Sequence, residues 1–319
     1  MSLEEGLNTV SLETQVGGHA GVLTTEDGEL LIKPALPREL EFYQKLQADN
    51  AFAALRPYTP RFIGTLRLEG ELDQSKPQEE GIAVKSISDK KESIVLENIS
   101  HRFSKPNILD VKLGTILYDD GASPEKVTRM LETARNTTSL ETGVRLTGFQ
   151  VYDNVTGKAI NTPKSYGKTI KAADLPEGVA KFFPVGAPVT SPTGSSSGLP
   201  AHLLRPVIEG IREEIQEIRN VFAELELRMV GGSLLVVYEA DWTRAEEGLK
   251  NLGCDDEEDE EEETDEESKE KPGPPFIVKL IDFAHTKTVP GAGADEGVLL
   301  GMDTVLKLLD ARLKQLVSL

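Results

Sequence analysis

The chain has one cysteine, Cys254, among 319 residues. No disulfide framework can form within it, and a lone thiol suits a reducing compartment. Its four histidines and single cysteine show no zinc-type spacing, which argues against a structural zinc module. No Gly-x-x-x-x-Gly-Lys-Ser/Thr loop occurs, so a P-loop enzyme is not expected. No Ser-His-Asp or Cys-His set stands out either, which argues against hydrolysis through a covalent intermediate. No apolar run approaches the roughly 20 residues that span a bilayer. The start, Met1-Ser-Leu-Glu-Glu5, has neither the basic nor the apolar region of a signal peptide. These absences set the expectation of a soluble protein inside the cell, long enough for one large core or two lobes.

What is present in excess is negative charge. The net charge is −19, but residues 255–267 are acidic at twelve of thirteen positions, with Thr264 the exception; without those twelve acids it is −7. Such a run repels itself and buries no apolar area, so an insert without packed structure is expected at about 254–275. It reads as a solvating loop between adjacent strands, or as a docking segment for basic partners such as transcription factors. Ser191–Pro200 reads as a second loop or linker, and Glu69–Gly81 as a strand connection.

Three segments carry chemistry. In Pro106-Asn-Ile-Leu-Asp110-Val-Lys112-Leu-Gly114 an acid and a base stand two residues apart among apolar neighbours. In an extended segment Asp110 and Lys112 share a face. A carboxylate beside an ammonium serves phosphoryl transfer, one group orienting a hydroxyl and the other neutralising the moving phosphoryl; a surface ion pair at a strand end has the same appearance. The run Phe276-Ile-Val-Lys-Leu-Ile281 reads as a buried strand that delivers Asp282, followed by Phe-Ala-His285. That layout can hold magnesium against nucleotide phosphates, or cap the next turn. Gly231-Gly-Ser233-Leu-Leu-Val-Val-Tyr-Glu239 reads as a further buried strand.

Around these segments the elements alternate. Gly21–Lys33 reads as a hairpin turning at Glu26-Asp-Gly28, and Lys33, ending an apolar strand, needs a partner if buried. A helix is expected from Pro37 to about Leu55. Either Glu39 or Glu41 in its first turn can pair with Lys33, or stay exposed where the helix dipole favours it. Ile82–Ser86 and Ser93–Leu96 are expected to complete a small antiparallel sheet. Ser123-Pro124-Glu125 starts a helix to about Asn136, by capping hydroxyl, first-position proline and first-turn acid. Val127, Met130, Leu131 and Ala134 form its apolar stripe, with Lys126 and Arg129 on another face. The stretch Asp295–Leu319 is amphipathic at helical spacing and reads as a core-packing helix.

In order and spacing the segments resemble the inositol polyphosphate kinase family. The first matches its Pro-x-x-x-Asp-x-Lys-x-Gly signature at every fixed position, and the second its Ile-Asp-Phe-Ala-His segment. The third matches its Ser-Leu-Leu strand, with Gly231 and Gly232 where serines are more usual. Gln15-Val-Gly-Gly-His-Ala20 and Pro37-Arg-Glu-Leu-Glu-Phe-Tyr43 look like the branch that phosphorylates inositol tris- and tetrakisphosphates at more than one position. The compact length favours the same branch. Branches acting on the hexakisphosphate, or on the trisphosphate alone, are the alternatives, as is a transcription scaffold working through the acidic insert.

The resemblance implies a two-lobed α+β fold, protein-kinase-like and ATP-grasp-like. Residues 1–98 would form an N-lobe with an antiparallel, nucleotide-binding sheet, and 99–319 a larger α+β C-lobe. It implies ATP and Mg2+ as cofactors. Lys33 would hold the nucleotide phosphates, the backbone of Glu97 and Ile99 would meet adenine, and Asp282 would hold the metal. Lys112 would bridge the transferred phosphoryl and the substrate. Asp110 would act either as proton acceptor or as ribose ligand. Lys126, Arg129, Gln150, Lys164, Lys168 and His285 are the candidate contacts to the inositol phosphate, although exposed lysines and arginines on a helix or basic loop would look alike. Phosphoinositide lipid headgroups are further candidate substrates. A monomer is expected, without direct nucleic-acid binding, in nucleus and cytoplasm.

Overall fold

The computed structural model describes residues 9–11, 21–67, 70–72, 84–86, 92–186, 198–252 and 273–317. The segment Gln15–Ala20, the acidic run 255–267 and most of Ser191–Pro200 lie outside the described residues.

The first half of the chain builds an antiparallel sheet from β1 (Thr9–Ser11), β2 (Leu23–Thr25), β3 (Leu30–Pro34), β4 (Phe62–Arg67) and β7 (Glu92–Glu97), in the order β1-β2-β3-β7-β4. The expected hairpin is β2–β3. Gly28 closes its turn at φ +77°, its N–H donating to the Thr25 carbonyl, a conformation in which a Cβ is costly. The strand expected at 82–86 does not join this sheet: β6 (Val84–Ser86) pairs with β5 (Gly70–Leu72). The place beside β7 belongs to β4, whose register breaks at a bulge between Phe62 and Gly64. A bulge interrupts the alternation by which a strand is recognised in sequence.

Helix α1 (Pro37–Ala48) is shorter than expected. Asp49 is extended, and its side chain accepts from the Ala51 N–H to open a 3-10 turn at Asn50–Phe52. Arg56 donates from Nε to the Leu46 carbonyl and from Nη2 to the Asp49 carbonyl. The Leu46 carbonyl, orphaned by the early helix end, is thereby satisfied.

The second sheet is β8 (Pro106–Leu113), β9 (Val144–Asp153), β10 (Lys158–Thr162), β12 (Ser233–Glu239) and β13 (Phe276–Ile281), antiparallel in the order β10-β9-β8-β12-β13. Strand β8 shows why a nearly all-buried segment can carry two acid–base residues. Leu109, Val111 and Leu113 point into the main core. Ile108, Asp110 and Lys112 take the opposite face, where Ile108 joins Ile99, Phe103, Val237 and Ile277 in a second, smaller apolar cluster. The main core is closed by α6 (Ala201–Ala223) and α8 (Glu296–Val317), which pack on each other. Leu204, Ile208, Ile211, Ile215, Ile218 and Phe222 of α6 are fully buried. Leu299, Met302, Leu306, Leu309 and Leu316 of α8 are buried as its spacing predicted.

Between these elements stand α2 (Pro124–Asn136), α3 (Ser139–Thr142), α4 (Tyr166–Thr169), α5 (Leu175–Phe182), β11 (Leu227–Met229), α7 (Trp242–Leu252) and β14 (Thr286–Thr288), with β11 and β14 pairing. Helix α2 has the expected limits, and Ser123 caps it by accepting from the Lys126 N–H. The two halves of the chain share one core. Phe42 and Tyr43 of α1 pack on Phe283, with ring centroids 4.5 and 5.5 Å apart.

Helix α4 lies against β9 so closely that a Cβ at Gly167 would stand 1.6 Å from the Leu146 carbonyl oxygen. Backbone cannot yield as a flexible side chain does. Gly167→Ala is expected to lower stability by about 3 kcal/mol, at the upper end of ordinary single substitutions, measured as a shift of the urea midpoint at unchanged m-value.

Candidate functional site

Three strand ends converge on Asp282. Strand β13 terminates there with φ +66°, which makes Asp282 the single non-glycine residue of positive φ among the described residues. A left-handed conformation outside glycine is strained and recurs at functional positions; here it turns the carboxylate back between two lysines. Lys33 Nζ, from β3, lies 2.8 Å from Asp282 Oδ1, and Lys112 Nζ, from β8, lies 3.2 Å from Oδ2. Lys33 also binds Glu39 Oε1 at 2.8 Å, so Glu39 is the first-turn acid that turns inward while Glu41 is exposed. Lys112 donates further to the Gly231 carbonyl at 2.8 Å and to Ser233 Oγ at 2.9 Å.

Magnitudes explain why Lys33 has two acids. Burying an ammonium costs several kcal/mol. One ion pair near 3 Å returns on the order of 5 kcal/mol at an effective dielectric of about 20. A single carboxylate, itself desolvated, would roughly break even, and the second tips the balance. Burial disfavours the charge on Lys33, yet Asp282 and Glu39 outweigh it and hold its pKa above the ordinary value. Burial alone would raise the pKa of Asp282, but the charges and hydrogen bonds of Lys33 and Lys112 bring it down to about 2.

Asp110 is in a different state. It is 1% exposed, and neither carboxylate oxygen has a hydrogen-bond partner among the described residues. Burial pushes its pKa up, partly offset by Lys112 and Ser233; Asp282 adds to the rise and Lys164 opposes it. A buried, unpartnered carboxylate costs stability unless something else uses it. Opposite Asp110 on β9 is Gly148, at a bulge between Asp110 and Val111. Arg145, which sequence reasoning did not single out, is half-buried near Asp110. Burial lowers its pKa, and the Asp110 charge raises it in part. The signal for it was the same as for Lys33, a lone cation inside an apolar strand.

The other expected residues are placed as follows. Glu97 ends β7, its Oε2 accepting from the Arg61 N–H. Ile99 is buried in the small apolar cluster. In the turn between the two sheets the N–H groups of Asn98, Ser100 and His101 are bonded to Glu29 O, Asn98 Oδ1 and Asn98 O; the Ile99 N–H takes no carbonyl among the described residues. Gln150 is buried, pairs with Ile108 across the strands, and donates from Nε2 to the Pro106 carbonyl. Lys164 is exposed but lies within electrostatic reach of Asp110. Lys126 is half-exposed and Arg129 exposed on α2, and Lys168 is exposed on α4. Among the described residues these three side chains do not touch the Lys33–Asp282–Lys112 group.

His285 is held by a carboxylate rather than by neighbouring backbone. Its Nδ1 lies 2.6 Å from Asp119 Oδ2, and its side chain lines a cleft of about 540 Å3 with Arg38, Asp119 and Lys287. Asp119 was not singled out from sequence either, because Tyr118-Asp-Asp-Gly121 reads as a plain turn.

The arrangement suits a nucleotide and one hard divalent ion. Among the described residues no three His, Cys, Asp or Glu side chains gather to hold a metal by themselves. Magnesium is ordinarily held by one or two carboxylates together with phosphate oxygens, and Asp282 offers hard oxygens between two phosphate-seeking lysines. The small, buried apolar cluster of Ile99, Phe103, Ile108, Val237 and Ile277 adjoins Asp110 on the same face of the sheet.

The chain is similar to known proteins over most of its length. The model of the inositol polyphosphate kinase family matches residues 93–310. The inositol polyphosphate multikinase of Saccharomyces cerevisiae is 30% identical, over 93% of this chain and 96% of its own. That of Schizosaccharomyces pombe is 34% identical over 53% of this chain and 61% of its own. Mouse inositol hexakisphosphate kinase 2 is 29% identical over 68% of this chain and 48% of its own. The crystal structure of S. cerevisiae inositol phosphate multikinase Ipk2 with ADP and Mn2+ superposes with a TM-score of 0.64 at 30% identity, covering 90% of this chain and all of that one.

The pKa of Asp282 has a consequence for stability. Its folded value, about 2, lies below the ordinary 3.8, so its contribution is present above pH 4 and is lost as pH falls through 2. Asp282→Asn is expected to cost roughly 2 kcal/mol at neutral pH. The gap between the two proteins should close as the pH is lowered from 4 towards 2, read by denaturant unfolding at each pH. A gap constant with pH would mean that the charge on Asp282 is not what stabilises the network.

Proposed function

The chain belongs to the inositol polyphosphate kinase family, and from that premise we propose that it is a multikinase, transferring the γ-phosphoryl of ATP to hydroxyls of inositol tris- and tetrakisphosphates. The observation that carries the reading is the pair Asp110 and Lys112 on one strand face, with Lys112 bridged through Asp282 to Lys33. The near end-to-end match to the yeast multikinase supports this branch over the hexakisphosphate kinases, which match a smaller share of the chain.

In this reading Lys33, fixed by Glu39, exchanges its contact with Asp282 for the nucleotide phosphates. Lys112 leaves Asp282 Oδ2 for the transferred phosphoryl while its bonds to Gly231 and Ser233 keep it aimed. Little covalent chemistry is asked of the protein, and positioning and charge neutralisation do most of the work. Asp282 would hold magnesium, which supplies the remaining neutralisation of phosphate charge. The Ile99 N–H, without a carbonyl partner among the described residues, and the adjoining apolar cluster suit an adenine ring. Asp110, its pKa raised by burial, is a better proton acceptor than an exposed carboxylate, and its two oxygens, without hydrogen-bond partners among the described residues, suit a ribose diol equally. Lys126, Arg129, Lys164, Lys168 and His285 would meet the acceptor's phosphates from the opposite side. Gln150, bonded to backbone, would shape the wall. The same reading carries magnesium as the physiological ion, and nucleus and cytoplasm as the location.

Incubation with magnesium-ATP and inositol 1,4,5-trisphosphate, resolved by anion exchange, should give tetrakis- and then pentakisphosphates in sequence. A single tetrakisphosphate, or phosphorylation of the hexakisphosphate alone, would assign the chain to a neighbouring branch. Asp282→Ala and Lys112→Ala are each expected to lower kcat by about 1,000-fold or more, as loss of a transition-state contact does, with the circular dichroism spectrum preserved. Asp110→Asn separates the two uses of that residue: a kcat loss at constant KM for ATP marks the proton acceptor, and a raised KM for ATP marks the ribose ligand.

A further inference from the structure

Two successive acids follow β8, and each pairs with a basic side chain of the segment after Asp282. Asp119 Oδ2 lies 2.6 Å from His285 Nδ1, and Asp120 pairs with Lys287. His285 closes the turn before β14 and Lys287 lies within that strand. The Asp119 carbonyl accepts from the Ala122 N–H at 3.1 Å, closing the turn that aims both acids. Asp119 Oδ2 also lies 3.6 Å from Arg38 Nη1. Arg38 belongs to α1, which follows a strand of the first sheet, whereas Asp119 follows a strand of the second.

The exposures are graded. The Asp119 side chain is 13% exposed, His285 34% and Arg38 46%, and all three line the 540 Å3 cleft. An acid lies behind an imidazole and a guanidinium. With Nδ1 on the carboxylate, His285 keeps Nε2 for a ligand, and its ring is held against rotation. A carboxylate at the mouth of a site for polyanions repels them unless its charge is engaged; here His285 Nδ1 and the Arg38 guanidinium engage the same oxygen.

We propose that Asp119 is a positioning residue for the acceptor: it fixes the His285 ring and draws Arg38 across from α1, so that imidazole and guanidinium face one anionic group of the substrate together. This rests on the reading of the chain as an inositol phosphate kinase, and it assigns to the turn 118–121 a role in substrate affinity rather than in nucleotide binding.

The test compares the unmodified protein with Asp119→Asn, His285→Ala and the double variant. Asparagine matches aspartate in size and keeps an acceptor, so folding is preserved and the missing quantity is charge. Each single variant should raise KM for inositol 1,4,5-trisphosphate by about tenfold, with KM for ATP and kcat within about twofold. The double variant should lose less than the product of the two single losses, because Asp119 acts in part through that ring and in part through Arg38. An unchanged trisphosphate KM in Asp119→Asn, an equal rise in the KM for ATP, or multiplicative losses in the double variant would each overturn the assignment. Absence of product from the unmodified protein would count against the multikinase reading; calorimetric binding of the trisphosphate to the same four proteins would still decide the role of Asp119.

Discussion

The structure turns on one carboxylate shared between two lysines. Asp282 is supplied by β13, Lys33 by β3 of the other sheet and Lys112 by β8, so a single ionic bridge ties together three strands that are far apart in sequence. Each of these charges is expensive to bury alone, and each is affordable only because the others are present. The main core does the same job in apolar form immediately beside it, where Phe283 stacks on Phe42. The residue after Asp282 thus anchors the backbone whose left-handed turn aims the carboxylate. In the proposed function a phosphate would enter this network by substituting one anion for another at the two lysines, leaving Glu39 to keep Lys33 in place.

Asp110 complements that bridge by being unpaid for. Its neighbours on the strand face are apolar on one side and charged on the other, and nothing among the described residues satisfies its oxygens. Asp282, just past β13, and Asp110, within β8, flank β12 and are pushed in opposite directions, one carboxylate down by two lysines despite its burial and the other up by burial. Divergent environments for two nearby acids are how a site assigns them different work. The clip formed by Asp119 and Asp120 on His285 and Lys287 extends the same economy of paired charges to the cleft beyond Gly114.

Much of the site was legible in the chain because strand alternation is local. Asp110 and Lys112 share a face whatever lies opposite, and Ser123, Pro124 and Glu125 mark a helix start without help from tertiary contacts. Other features were hidden by mechanisms that sequence pattern does not record. The bulge at Phe62–Gly64 concealed β4, and Arg56, reaching back to carbonyls of α1 and its cap, ended that helix earlier than its composition suggested. Gln150 has the look of a polar contact yet spends its amide on the Pro106 carbonyl. Asp119 sat in a segment whose composition says only turn.

The sequence by itself determined the apolar strands, the acids and bases at their ends, the acidic run and the family signature, since each of these depends on residues close together in the chain. Tertiary structure alone decided that Glu39 rather than Glu41 meets Lys33, that Asp282 bridges Lys33 to Lys112, and that Asp119 holds His285. Those choices join residues up to 249 positions apart. They depend on a few ångströms of placement set by strand pairing and core packing, which no local pattern encodes.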